Sequence, residues 1–267
     1  MLFLSDQTRQ CFGMIDLVSS FTALAPWLVL LMGVVCFLAG LIRGFTGFGL
    51  SAVLVAIIAV FVAPIELLPI ALLLEAAATV FLLNTTWRDA DWGVVSMFIV
   101  GSVLGYPTGL ALTIALDPQV SKIVALLLIF GLVLALLMGW VPPMKKTRLP
   151  LGLAGFTASF VSGIAGVGGL VYAAVFLAMN LPARVMRATM IVYLGVSLTY
   201  SITVQSVLGV MDEVALSRAA VMVPVTLLGV WIGKMFFAPE TEKYYRRICM
   251  GFLVVVSLAG LGRLVLL

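Results

Sequence analysis

Two short stretches hold residues whose types and spacing could do chemistry inside an otherwise apolar chain. The first is Gly44-Phe45-Thr46-Gly47-Phe48-Gly49; the second is Gly163-Ile164-Ala165-Gly166-Val167-Gly168, followed by Gly169. Both read G-x-x-G-x-G. Neither lies in a strand-helix-strand context, which excludes a dinucleotide fingerprint. The chemistry left is anion binding by backbone. Helical arms starting near Gly49 and Gly169 aim free N–H groups and positive dipole ends at whatever lies between the breaks. Glycine also lets a ligand approach the backbone closely. Thr46, Ser51 and Ser162 can add hydroxyl donors. The competing explanation is that these glycines only permit tight helix packing. The substrate-binding set expected from the pattern is Arg43, Gly44, Thr46, Gly47 and Gly49 in the first stretch, with Ser162, Gly163, Gly166, Gly168 and Gly169 in the second.

Two ionisable residues belong with these breaks. Arg43 immediately precedes the first one and has no charged counterpart at the second, where Ser162 stands in its place. An arginine deep in a bilayer is costly, and its fork of donors suits a sulfonate, sulfite or carboxylate; in a loop it would be an ordinary cytoplasmic charge. Glu75 lies about 15 Å into the third apolar segment at ~1.5 Å per residue. Burial disfavours its charged form, which makes it a proton-coupling candidate, and a fixed ion pair with Arg43 is the alternative. Glu66 reads as a helix-start acid behind Pro64. Arg184 and Arg187 read as positive-inside anchors or as an anion-attracting vestibule. Gly105-x-x-x-Gly109 and Gly229-x-x-x-Gly233 read as packing faces. Thr189, Tyr193, Tyr200, Thr203 and Gln205 are polar positions in one segment that could line a pathway.

The elements that position these groups are set by composition. Hydrophobic residues make up 64% of the chain and charged residues 10%, against ~25% charged in soluble domains. Most of the chain is therefore solvated by lipid. There is no histidine, which removes Ser-His and Cys-His catalysis and histidine-held zinc together. The three cysteines follow no metal or disulfide spacing. No catalytic residue, metal or cofactor is expected, and the chain does not read as an enzyme. The expected partners are a small anionic substrate and the lipid bilayer, with no nucleic acid; a homodimer is left open.

Apolar segments run over 26–42, 48–63, 65–86, 92–116 and 120–141, then over 149–162, 168–181, 188–208, 214–237 and 245–267. Residues 1–25 form an N-terminal extension without the basic start of a cleaved signal. A proline-plus-charge linker, 142–148, divides the rest into a first membrane repeat, 26–141, and a second, 149–267. The glycine stretch, the G-x-x-x-G pair and a Pro-x-x-x-Lys turn recur in the same order at nearly equal offsets, the mark of an internal repeat. The uncharged run from Leu149 to Ala183 is too long for one span, about 50 Å against a ~30 Å core. Split at its glycines, it gives two arms too short to span upright. Gly-broken hairpins meeting near the midplane fit this pattern, and two thin, tilted spans are the alternative. Either way each half crosses an odd number of times, so the halves are expected to be inverted. Lys and Arg gather on one side (Arg88, the linker, Arg184, Arg187, Lys243, Arg246 and Arg247), which makes that side cytoplasmic and places both termini outside. The fold expected is an all-α integral membrane protein of two inverted repeats, each of about five helical segments.

Gly40-Leu41-Ile42-Arg43-Gly44-Phe45-Thr46-Gly47-Phe48-Gly49 and its echo Ser162-Gly163-Ile164-Ala165-Gly166-Val167-Gly168-Gly169, with the two-half layout and basic linker, resemble the TauE/SafE sulfite exporter family from about residue 26 onward. The resemblance implies a bacterial inner-membrane secondary transporter that exports sulfite, sulfoacetate or a related organosulfonate by alternating access without ATP, with proton coupling as an option. A passive anion channel or an uptake permease for small organic anions is the alternative. The chain departs from the family at the first break, where Phe45, Thr46 and Phe48 replace further glycines, which leaves bulkier or less charged anions open.

Overall fold

The computed structural model describes residues 26–58, 61–62, 64–117, 120, 123–124, 127, 131, 138, 147–165, 168–179, 181–237, 244–245, 247–249 and 251–252. These residues form helices and connections, with no strand among them. The helices are α1 (Pro26–Thr46), α2 (Leu50–Ile58), α3 (Pro64–Thr86), α4 (Trp92–Ala115), α5 (Arg148–Ala165), α6 (Gly168–Ala178), α7 (Ala183–Val207) and α8 (Glu213–Met235). A 3-10 turn, Trp87–Asp89, follows α3. Five of the described helices, α1, α3, α4, α7 and α8, are long and apolar enough to cross a membrane. Most of the fifth and tenth expected segments, the N-terminal extension and most of the basic linker lie outside the described residues.

Prolines and acids set the helix starts. Pro26 and Pro64 open α1 and α3, and Pro182 is the N-cap of α7, positions where a missing N–H costs nothing. Asp91 and Asp212 cap α4 and α8 by accepting from the Val94 and Ala215 amides at 3.3 and 2.7 Å. The glycine stretches break the chain as expected, but the arms are unequal. α1 has 21 residues before the first break and α2 has 9 after it. α5 has 18 residues before the second break and α6 has 11 after it. The reason is local. Gly47 and Gly49 take φ of 86° and 94°, which β-carbon-bearing residues resist, whereas Gly44 and Gly163 stay helical. α1 therefore continues through Arg43 to Thr46 before it ends.

Glycine is instead used to bring helices together backbone to backbone. A β-carbon on Gly40 or Gly44 of α1 would strike Thr226 O or Val230 O of α8, and one on Gly229 or Gly233 of α8 would strike Phe37 O or Leu41 O of α1. The same seam joins α4 to α5: Gly101, Gly105 and Gly109 press on Gly152 O, Phe156 O and Phe160 O, while Gly155 presses on Phe98 O. Residue numbers rise together across both seams, so each pair runs parallel. Among the other pairings, α3 packs on α8 as α7 packs on α4, and α3 packs on α7. Each half thus closes its first helix against the fourth helix of the other half.

The two ends of the bundle differ in charge. One end gathers the close of α3 and the starts of α4 and α7. There Arg184 Nε meets Asp89 Oδ2 at 2.8 Å, and the Asp91 amide donates to Thr189 Oγ1 at 2.9 Å. The opposite end surrounds an open cavity of about 560 Å³ whose lining includes Glu66, Thr113, Asp212 and Arg218. Across its mouth Arg218 Nη1 lies 3.6 Å from Glu66 Oε2. α8 starts at this acidic end and α4 at the basic end, so their parallel partners α1 and α5 start at opposite ends too.

Candidate functional site

The first break is held by two buried arginines. Arg43, in the last turn of α1, is fully buried. Its Nη1 donates to Gly47 O and its Nη2 to Thr79 Oγ1 of α3, both at 2.6 Å. Its Nε is buried without a hydrogen-bond partner among the described residues. Arg187 reaches in from α7, donating from Nε to Phe45 O at 3.1 Å and from Nη2 to Gly44 O at 2.7 Å. Its guanidinium carbon also sits 4.5 Å from the centre of the Phe237 ring. The Tyr245 hydroxyl donates to Thr46 O. The last carbonyls of a helix carry its negative dipole end and lack internal donors, and here cations and a hydroxyl satisfy them. Arg187 was expected as a surface anchor or a vestibule charge. It is 4% exposed and serves as a staple from the second half to the end of α1.

Glu75 is not ion-paired with Arg43 among the described residues. Its carboxylate instead accepts from the Ser51 amide at 3.1 Å, so it occupies the donor end of α2. The Thr79 hydroxyl that accepts from Arg43 donates in turn to the Glu75 carbonyl at 2.7 Å. One turn of α3 therefore holds both sides of the break: the end of α1 through Thr79 and the start of α2 through Glu75. The Thr46 hydroxyl is spent inside the break, donating to Ile42 O or Phe48 O and accepting from the Phe48 amide.

Beyond Glu75 lies a small cavity of about 30 Å³, room for a water or two. Its walls come from both halves: Ser51 and Glu75 beside the first break, Ser162 and Gly169 beside the second, and the tyrosines Tyr106, Tyr172 and Tyr193. The starts of α2 and α6 meet at this cavity. The direction in which Gly169 would carry a β-carbon points at Gly49 N, 4.0 Å away, and at the Tyr172 hydroxyl, 3.2 Å away. The Tyr193 hydroxyl is fixed by Ser102 of α4 at 2.8 Å and Ser159 of α5 at 3.2 Å. Gln205 Nε2 donates to the Tyr106 hydroxyl at 2.8 Å. Among the described residues the cavity therefore offers many hydroxyls, one carboxylate, two helix starts and no cation in its lining.

Of the residues expected to bind substrate, Ser162 and Gly169 line this cavity, as does Glu75. Gly47 and Gly49 shape the turn behind it. Gly44, Gly163 and Gly168 press on backbone of neighbouring turns, against Val230 O, Tyr106 O and Ala158 O respectively. Arg43 stands behind the wall rather than in it, and Gly166 lies outside the described residues. The three tyrosines, Ser197 and Ser201 were not singled out as a group. A signal was present: Thr189, Tyr193, Ser197, Ser201 and Gln205 recur every four residues, which puts them on one face of a helix. Tyr200 and Thr203 fall off that face. The Tyr200 hydroxyl donates to Val103 O at 2.7 Å, and Thr203 bonds back to Thr199 O.

No curated protein and no solved structure matches the chain. The model of the family described as sulfite exporter TauE/SafE matches residues 32–260, a range that takes in both glycine breaks, both seams and the cavity between them. The chain is a multi-pass membrane protein belonging to the sulfite exporter TauE/SafE family, a family of membrane transporters of sulfite or related anions.

Proposed function

We propose that this chain is a secondary transporter of a bacterial inner membrane that exports a small sulfur-containing anion, such as sulfite, sulfoacetate or a related organosulfonate, by alternating access. The observation that carries the reading is the polar cavity where the starts of α2 and α6, one from each half, meet among serines and tyrosines. Two helix starts supply backbone N–H groups and positive dipole ends, and hydroxyls supply further donors, as an oxyanion requires. Polar backbone at such depth is tolerated where it lines a cavity. Ser162 and Gly169 would contact the anion directly. Gly44, Thr46, Gly47, Gly49, Gly163, Gly166 and Gly168 would give the two breaks their shape, with Arg43 adding positive field from behind the first.

The reciprocal seams support an inverted pair of repeats, with each glycine break forming a hairpin that enters from its own side. If the basic end is cytoplasmic, the start of α1 is outside and the acidic vestibule faces out. Anions would then be gathered by Arg88 on the inside and released past Glu66 and Asp212 on the outside, a polarity that favours export. At about 30 Å³ the cavity must widen to admit sulfite.

Glu75 gives the reading its coupling step. Its carboxylate holds the Ser51 amide, one of the donors an anion would use, and two negative groups there repel. Anion and carboxylate compete for that donor, so the charge on Glu75 and anion occupancy oppose each other, which makes Glu75 the proton-coupling candidate. The test is radiolabelled sulfite flux into proteoliposomes across a pH series, for the native protein and Glu75→Gln. Saturable native flux whose pH dependence flattens in Glu75→Gln is expected. Unchanged pH dependence in the variant would remove the coupling step. Absence of saturable flux of sulfite and organosulfonates in folded native protein would remove the substrate class.

A further inference from the structure

One member of the polar cavity does not suit a fully ionised oxyanion. Glu75 is in its lining and is 5% exposed, and an ionised carboxylate only accepts hydrogen bonds. It accepts from the Ser51 amide of α2 at 3.1 Å. Among the described residues no cation joins it in the lining. Arg43 of α1 reaches the same turn of α3, but its Nη1 and Nη2 are turned to Gly47 O and Thr79 Oγ1. Arg187 of α7 is spent on Gly44 O and Phe45 O. The other ionisable groups on the wall are the phenols of Tyr106 (α4), Tyr172 (α6) and Tyr193 (α7), which add hydroxyls to it. The charge at the site is also limited. Each helix start carries roughly half a positive charge, so the starts of α2 and α6 together offset about one negative charge. Arg43, behind the wall, offsets Glu75. A monoanion is balanced by this arrangement, and a dianion leaves a whole negative charge uncompensated where water is scarce.

We infer that the cavity takes its anion with one proton attached, as hydrogen sulfite, HSO₃⁻, and that Glu75 selects this form by accepting a hydrogen bond from its hydroxyl while repelling the sulfite and sulfate dianions. In neutral water sulfite is divided between its dianion and hydrogen sulfite, whereas sulfate is fully ionised. On binding, Glu75 turns from the Ser51 amide to the ligand hydroxyl, and that amide passes to one of the ligand's other oxygens. A dianion brings no donor, so its oxygens would meet the carboxylate acceptor to acceptor. A buried group that bonds a ligand hydroxyl rejects the analogue lacking it far more strongly than an apolar wall does, and like charge adds a repulsive element against the wrong ligand. The inference rests on the transport reading above and names the form of the substrate and the residue that chooses it. It also puts the transported proton on the substrate, so that each turnover moves one proton together with the anion.

The experiment is radiolabelled sulfite flux into proteoliposomes at one neutral pH, with unlabelled sulfate as competitor, for native protein and Glu75→Gln. Glutamine keeps the shape, removes the charge and adds a donor that a dianion can use. Sulfate in about a hundredfold excess is expected to leave native flux unchanged and to slow Glu75→Gln at least about tenfold. A role of Glu75 in folding alone would lower flux without creating inhibition by sulfate. A second measurement needs no variant: across a neutral pH series the native KM should stay constant when reckoned as hydrogen sulfite and change when reckoned as the dianion. Native flux that sulfate inhibits, or a KM constant in the dianion, overturns the inference and leaves the transport reading standing. Sulfate exclusion that persists in Glu75→Gln overturns the assignment of selection to Glu75. No saturable sulfite flux in folded native protein removes both the inference and the sulfite reading it rests on.

Discussion

Truncating Arg187 separates a structural staple from a surface charge. Arg187→Met keeps the apolar stem and deletes the guanidinium. Two hydrogen bonds from that cation, to Phe45 O at 3.1 Å and Gly44 O at 2.7 Å, are lost, each worth roughly 1.5–3 kcal/mol as a charge-assisted bond. The contact with Phe237 at 4.5 Å adds roughly 0.5–2 kcal/mol. Removing the head group also removes the cost of having buried it, which offsets part of the loss. The net destabilisation expected is about 2–4 kcal/mol. Equilibrium unfolding by SDS in mixed micelles, followed by circular dichroism, measures it. Arg187→Lys should fall in between, because an ammonium is a point donor and cannot fork across two carbonyls. A double-mutant cycle with Phe237→Leu should return a coupling of about 0.5–2 kcal/mol, the size of the ring contact. A loss below about 1 kcal/mol for Arg187→Met, the range of ordinary surface charges, would refute the staple and return Arg187 to the role of a cytoplasmic anchor.

Three further outcomes follow from the same geometry. Gly229→Ala places a methyl group against Phe37 O and should cost about 1–3 kcal/mol in the same unfolding assay, whereas Gly33→Ala, with open space around it, should be neutral or slightly stabilising; equal effects would dissolve the seam. Tyr172→Phe removes a hydroxyl from the cavity wall and should raise KM for sulfite about three- to tenfold with folding intact, so unchanged kinetics would put the substrate elsewhere. Thr79→Val breaks the link between Arg43 and the Glu75 turn. It should lower sulfite flux more than it lowers Tm, and a variant that merely melts earlier with full flux would make Thr79 a packing residue.

The breaks were legible because glycine there answers a backbone requirement that no other residue meets easily. Gly47 and Gly49 have positive φ, and a repeated spacing in an apolar chain announces it. The seams were legible for a related reason: Gly105, Gly109, Gly229 and Gly233 sit one turn apart, and only a backbone-on-backbone contact needs that in lipid. Helix ends were less so. Gly44 and Gly163 look like part of the breaks, yet both are helical, because the same spacing also serves a seam. Sequence alone cannot say which neighbour a glycine faces.

Charges inside the bundle were the hardest to read, and the two arginines show why. Arg43 and Arg187 differ in apparent depth along the sequence, one preceding a glycine break and the other near a helix start beside a charged turn. In the structure both end on carbonyls of one helix terminus, Arg43 on Gly47 and Arg187 on Gly44 and Phe45. What brings them together is the end of α1, whose last carbonyls must be met somewhere. Had that need been traced first, a donor from another helix would have been required, and Arg187 is a cation close to the start of α7. The same need accounts for Glu75. The start of α2 has amides to satisfy, and a carboxylate one helix away answers them more directly than an ion pair with Arg43 would. In a bilayer, where water is not there to serve, unsatisfied helix ends determine where the few charges go. The polar stripe of α7 obeys a different rule, side-chain periodicity, which is why its four-residue spacing was visible and its partners Tyr106 and Tyr172, each on another helix, were not.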